Sequence, residues 1–413
     1  MSSSESPARS GSLVPVLAAA GTSGVAGYVV LVLAARVLDP ATNAAFLVFW
    51  GAMFAVFGAL VGLTTETTRA VFSSQGQGST AVLPAVLGLA GSVALAVAAS
   101  GLAWAPLLFG DPWPGLLAAM VVGIVLFGLQ QGLNGAAAGT SAWNAYSLFV
   151  GSEAVMRLVL CALVVVAGGQ LLGLAWAVAL ACGTWVVWLL LRRDHRVLVH
   201  VRVSGTVSGL VRRMLVACSA TGASALLLVG YPVLLRVTTP AEVFAGAAPI
   251  VLSVSLSRAP LLVPLGIYQN VLVTRVIRDG LRVLRPIVGG LVVITAVGSL
   301  LAWWVGPWLL HVINPTYDVS GGVFAGLVLA AGLVAALTLT GAATVALDRH
   351  AVYLAGWLAA TAASWLVLMV PGSLESRVLV SLAAGPAVGI AVHVGWGLVR
   401  GAAGGTRTSR LPR

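Results

Sequence analysis

Long apolar runs, broken by short polar or basic gaps, recur along the whole chain. A helix needs ~20 apolar residues to cross the hydrocarbon core of a bilayer. By that measure the pattern predicts twelve spans. Six precede a central basic segment, over 13–35, 42–63, 81–103, 115–138, 145–167 and 171–191. Six follow it, over 214–235, 243–273, 286–310, 321–347, 351–370 and 378–399. The eighth is long and holds Pro249, Pro260 and Pro264, so it is expected to bend or break. The expected fold class is an all-α integral membrane protein.

The interruption at 192–213 carries six arginines, Arg192, Arg193, Arg196, Arg202, Arg212 and Arg213, and is too charged for hydrocarbon. It divides the chain into an expected six-helix bundle over 1–191, a basic linker over 192–213, and a second six-helix bundle with a basic tail over 214–413. The two halves echo each other. Arg36-Val37-Leu38-Asp39-Pro40-Ala41 follows an apolar run, and so does Arg236-Val237-Thr238-Thr239-Pro240-Ala241, offset by 200 residues. An internal duplication accounts for this. With six spans each, the halves enter the membrane in the same sense and form a parallel repeat.

Composition sharpens this picture. The 413 residues are 60% hydrophobic and 8% charged, against about 25% charged in soluble domains, which excludes a water-soluble globule. A net charge of +11 in a soluble protein would suggest nucleic acid. Here every basic side chain is arginine and most lie in the gaps between spans, so topology explains the charge and no nucleic-acid partner is expected. With both termini in the cytoplasm, seventeen of the 22 arginines fall on that side, while only Arg36, Arg236 and Arg377 fall outside. The expected location is the cytoplasmic membrane. Ala18-Ala19-Ala20 resembles a signal-peptide cleavage site, but the apolar run continues to Ala35, which favours an uncleaved first span. The three cysteines show no CxxC or Cys/His spacing, so neither a disulfide framework nor a metal site is expected.

Candidate chemistry is confined to polar side chains inside spans. Arg258 and Arg157 are the arginines placed there, where charge is costly. Arg258 lies about 15 residues into the eighth expected span, ~22 Å along its axis. Its counterpart at the 200-residue offset is Gly58. It suits either an anionic ligand or the capping of carbonyls freed by Pro260 and Pro264. Glu153 and Arg157 form an i,i+4 pair with the acid first, the favourable order. Such a pair can fix packing, or Arg157 can meet an anion while Glu153 partners it in the empty state. Gln130, Gln131 and Asn134 on the fourth span, and Gln269 and Asn270 on the eighth, suit a cavity or helix–helix hydrogen bonds. Glu66 and Arg69 read as a solvated helix end, and His311 and His393 as packing or interface residues. The chain holds no GxSxG, no GxxxxGK[ST] and no HExxH, so an enzyme is not expected, nor a cofactor.

One resemblance is specific over about the first 70 residues. The run from Gly21 to Arg36, then Val37-Leu38-Asp39-Pro40, Phe46 to Trp50, and Thr65-Glu66-Thr67-Thr68-Arg69 resembles the start of polysaccharide-biosynthesis membrane proteins. These are oligosaccharide flippases in the superfamily shared with multidrug exporters and lipid II flippases. Asp39 stands where that family usually has glycine, and the acidic-x-Tyr-Gly that commonly follows Pro40 is missing. The resemblance implies two six-helix bundles around a cleft that opens to each side in turn. It implies a polyprenyl-diphosphate-linked glycan as cargo, with a polysaccharide polymerase or glycosyltransferases as further partners. Two rivals stand beside it. One is a multidrug-type exporter, which calls for carboxylates the chain largely lacks, and the other is a membrane assembly subunit without transport.

Overall fold

The computed structural model describes residues 13–404, apart from the side chains of 13, 267–271 and 396–404. Arg9, Arg407, Arg410 and Arg413 therefore lie outside the described residues, as do the side chains of Gln269, Asn270 and Arg400. In the first half, the helices are α1 Leu13–Val37, α2 Pro40–Ser74, α3 Val82–Phe109, α4 Trp113–Gly139, α5 Trp143–Val166, α6 Leu171–Ala181 and α7 Thr184–Leu191. In the second half they are α8 Val207–Leu228, α9 Tyr231–Val237, α10 Ala241–Phe244, α11 Ala248–Asp279, α12 Leu284–Ile313, α13 Gly321–Ala346, α14 His350–Leu368 and α15 Leu374–Gly404. Twelve stretches among the described residues are long and apolar enough to cross a bilayer, with α6 and α7 sharing one. The protein is thus an all-α membrane fold of two repeated six-helix halves.

Local chemistry explains where several helices begin and end. Asp39 caps α2, its carboxylate accepting from the Ala41 and Thr42 backbone N–H groups at 3.0 and 3.1 Å, and Pro40 occupies the first turn, where a missing N–H costs nothing. The seventh span departs from expectation. It begins at Val207 rather than 214 and stops at Leu228, with α9 resuming at Tyr231. Pro232 has no N–H, and its ring would clash with the carbonyl four residues back, which belongs to Leu228. The eighth expected span starts at Ala248 rather than 243 and does not break. Pro260 and Pro264 both lie inside a continuous α11, and Pro249 occupies its first turn.

The central segment is structured. Residues Arg193–His200 form a 3-10 turn, and the strand β2 Arg202–Val203 pairs antiparallel with β1 Thr80–Ala81. The hydroxyl of Thr80 donates to the Gly205 carbonyl, and Ser204 N–H donates to the Ser74 hydroxyl at 3.0 Å, so the α2–α3 loop holds the basic segment down.

Contacts divide the chain into two compact units, Met1–Gly222 and Ala223–Arg413. The division falls inside α8 rather than at the basic segment. The cause lies within the first unit, where the first part of α8 packs on α2. A Cβ at Gly62 would fall on the backbone of Ala217 and Cys218, and the Thr221 hydroxyl donates to the Ala59 carbonyl at 2.8 Å. Glu66 joins the two helices at the same end, accepting from Arg69 on its own helix and from Arg213 on α8, both at 2.7 Å. The expected solvated helix end is therefore half right, since Arg69 is exposed while Glu66, only 6% exposed, clamps the two helices.

Candidate functional site

In the first unit the polar candidates lie on α4 and α5, two helices in contact with each other. Arg157, 3% exposed, meets Glu153, 6% exposed, through one contact of 3.4 Å. Four residues separate them on α5, which puts both on one face one turn apart. The guanidinium also faces the rings of Trp50 at 5.8 Å and Phe54 at 5.2 Å, which stack on each other along α2 with centroids 4.2 Å apart. The negative faces of these rings hold a cation at a depth where bare charge is costly. One ion contact and two rings leave the guanidinium incompletely served, since its Nε is buried without a hydrogen-bond partner.

The amides of α4 divide their work. Gln131 accepts from the Thr64 hydroxyl at 2.7 Å and so ties α4 to α2. Gln130 donates its Nε2 to the Phe149 carbonyl at 3.2 Å, tying α4 to α5. The Oε1 of Gln130 and the Oδ1 of Asn134 are buried with no hydrogen-bond partner. Gln131 therefore acts as the helix–helix glue that its spacing allowed. Gln130 and Asn134 keep an open acceptor each, and Arg157 an open donor, at buried positions where unmet polar atoms cost about 1–3 kcal/mol.

In the second unit the structure gives Arg258 a definite partner set. It sits ten residues into α11, ~15 Å along the axis, because α11 starts at Ala248 rather than 243. Its Nη1 donates to the carbonyls of Leu227 and Leu228 at 3.2 and 2.9 Å, and its guanidinium lies 5.5 Å from the Tyr231 ring. These carbonyls sit at the end of α8, where the chain breaks before Tyr231 and Pro232 leave the helix without donors. The acceptors differ from the expected ones, since these carbonyls belong to α8 and not to α11. Arg258 caps α8, broken by Pro232, and not the turns around Pro260 and Pro264. Arg258 and the candidates on α4 and α5 occur in separate units, and the side chain of Gln269 lies outside the described residues.

Sequence spacing gave no reason to single out Trp50, Phe54 or Pro232. The aromatic pair follows a four-residue step that fits any apolar helix face, and Pro232 lies inside an apolar run. His393 is also better placed than an isolated packing residue. It is 5% exposed, with Nδ1 2.9 Å from the Thr340 hydroxyl and Nε2 3.3 Å from the Tyr353 carbonyl. No group of three metal-ligating side chains occurs among the described residues.

No family model matches the chain. Uncharacterized protein Rv1510 of Mycobacterium tuberculosis (strain ATCC 25618 / H37Rv) is 39% identical over 397 residues, covering 94% of this chain and 92% of the relative. Among solved structures, the inward-facing conformation of a multidrug resistance MATE family transporter of the MOP superfamily matches with a TM-score of 0.73 at 16% identity, over 94% of this chain and 96% of that one. The outward-facing conformation of a multidrug resistance MATE family transporter of the same superfamily matches with a TM-score of 0.63 at 14% identity, over 94% of each chain. At such identities the likeness establishes the fold.

Proposed function

The chain belongs to the family of the mycobacterial protein Rv1510, and from that premise we propose that it is a transporter of the MOP-superfamily type, working by alternating access. Its cargo is a polyprenyl-diphosphate-linked oligosaccharide destined for cell-surface polysaccharide. The fold it shares with inward- and outward-facing transporters supports the transport part of this reading. The cargo part rests on one observation, the Arg157 guanidinium. It is buried over an aromatic pair, held by a single 3.4 Å contact to Glu153, and keeps a donor free inside the membrane. Diphosphate oxygens would complete that donor set in the planar geometry that guanidinium favours. Gln130 and Asn134 then supply polar contacts to sugar. Arg258 serves the α8–α9 break and acts on transport through helix geometry. The protein resides in the cytoplasmic membrane with both termini inside, beside the polymerase or glycosyltransferases that use its cargo.

A second reading has support in the multidrug transporters that share the fold. Export of cations calls for exposed carboxylates in the path, and Glu153 is tied to Arg157. Reconstitution in vesicles separates the two. Labelled polyprenyl-diphosphate oligosaccharide should cross with wild-type protein, and Arg157→Ala should lower the rate about a hundredfold per inserted molecule, in line with the loss of a charged hydrogen-bond donor. Arg157→Lys should recover part of it. Efflux of a cationic dye, with no movement of the lipid-linked sugar, would replace this reading with the multidrug one.

A further inference from the structure

A groove of about 560 Å³ opens in the first unit beside the central basic segment. Its walls are apolar, built by Pro84 and Leu87 of α3, Leu129 of α4 and Trp185 of α7. Its rim carries the Arg202 guanidinium, with the His200 imidazole beside it. The volume falls within the ~300–1,000 Å³ usual for small-molecule sites. The rim is fixed by the fold. β2 carries Arg202 and is paired to β1, Ala81 facing Arg202 in the register, and the Arg202 side chain donates to the Ser79 carbonyl at 3.2 Å. Arg196 pins the start of the segment, donating to the carbonyls of Leu189 and Leu190 at 2.7 and 3.0 Å.

The surroundings show what the groove faces. Leu190, Leu191 and Val197 are 67%, 69% and 68% exposed, a density of bare apolar surface that belongs against hydrocarbon. His200 and Arg202 are exposed at the polar edge of that surface. No carboxylate lines the groove among the described residues. Asp194, the acid on the same segment, turns to His195 at 3.8 Å. An occupant must therefore bring an apolar body and an anionic head. A free anion leaves the walls bare, and a zwitterionic lipid leaves the rim charge unanswered. We propose that the groove formed by α3, α4, α7 and the 193–203 segment binds one anionic diacyl phospholipid of the cytoplasmic leaflet, its phosphate at His200 and Arg202 and an acyl chain against Leu87, Leu129 and Trp185. This site does not depend on the cargo proposed above.

The test uses the full chain, purified and delipidated in detergent and titrated with phosphatidylglycerol or phosphatidylcholine under native mass spectrometry. One phosphatidylglycerol should be retained at about fivefold lower concentration than phosphatidylcholine for each basic group engaged. His200→Ala with Arg202→Ala should erase that preference, and Leu87→Trp, which fills the groove and leaves the rim intact, should lower retention of both lipids. Bromo-acyl phosphatidylglycerol should quench a tryptophan signal that Trp185→Phe removes, which places the chain in the groove. Equal binding of the two lipids, or quenching unchanged in Trp185→Phe, would overturn the assignment. Stoichiometric displacement by polyprenyl phosphate would also overturn it, giving the groove to the carrier lipid.

Discussion

Arg258 shows how one side chain can stand in for backbone donors. A helix interrupted at Pro232 leaves the Leu227 and Leu228 carbonyls without their usual N–H groups, and in hydrocarbon no water replaces them. The guanidinium of α11 reaches both at 3.2 and 2.9 Å. Arg258→Ala should lower stability in detergent by about 2–4 kcal/mol, the cost of exposing two buried carbonyls to an apolar environment. Pro232→Ala would return an N–H that can reach the Leu228 carbonyl. The double variant should therefore lose less than the sum of the single ones, with a coupling of about 0.5 kcal/mol or more. Additive losses measured by thermal unfolding would show that Arg258 and the break are energetically independent. Asp39 makes a second, pH-dependent case. Hydrogen bonds from the Thr42 side chain and then its backbone N–H hold the Asp39 carboxyl below the usual range. A depressed carboxylate adds stability above its unfolded pKa of ~3.9, and that stability is lost as pH falls through the lower folded value. Asp39→Ala should cost about 1 kcal/mol at pH 7 through the lost cap, and Asp39→Asn should keep most of the cap while flattening the acid limb of a stability–pH profile.

Among elements, the close approach of α2 and the first part of α8 depends on glycine rather than on apolar bulk. A side chain at Gly62 would occupy backbone positions of Ala217 and Cys218, atoms that cannot swing aside. Gly62→Ala should cost about 1–3 kcal/mol or more, the range for overpacking. At Gly88 of α3 a Cβ meets nothing within 4 Å, so Gly88→Ala should be neutral or slightly stabilising by its better helix propensity. Melting both variants in one detergent checks the contrast, and equal effects would deny the packing account. The same comparison shows which elements the sequence reveals. Span count and the close approach at Gly128/Gly132 are legible, because length and small-residue spacing act locally. A Cβ at Gly132 would lie 2.9 Å from Val86. The break in the seventh span is hidden because Pro232 sits in an apolar run, while the continuity of α11 through Pro260 and Pro264 shows that proline weakens a helix without always ending it. The Glu66–Arg213 clamp is hidden for another reason. Its partners lie 147 residues apart, and no periodicity links them. Arg157 and Glu153 were legible as a pair from their spacing, but their aromatic support on α2 depends on tertiary packing.

At the scale of the whole molecule, charge sets orientation and apolar length sets the span count. Each span reverses direction, so twelve spans return the chain to its starting side, and the arginine-rich 192–213 segment follows an even number of spans. Positive charge is retained on the cytoplasmic side during insertion, which is the ground for the proposed cytoplasmic placement of this segment. On the same proposal the gap between α12 and α13, after nine spans, faces the opposite side. Thr316 lies in that gap and is exposed, as is His200 in the basic segment. In a background where Cys218 is replaced by serine, His200→Cys should react with a membrane-impermeant thiol reagent only after the cytoplasmic face is opened. Thr316→Cys should react in intact cells. Cys161 and Cys182 are buried and should stay silent in both. Reversed labelling at the two positions would invert the orientation while keeping twelve spans. Labelling of both positions from one side would mean that an odd number of the three spans between them fails to cross, and the repeat of the two halves would fail with it.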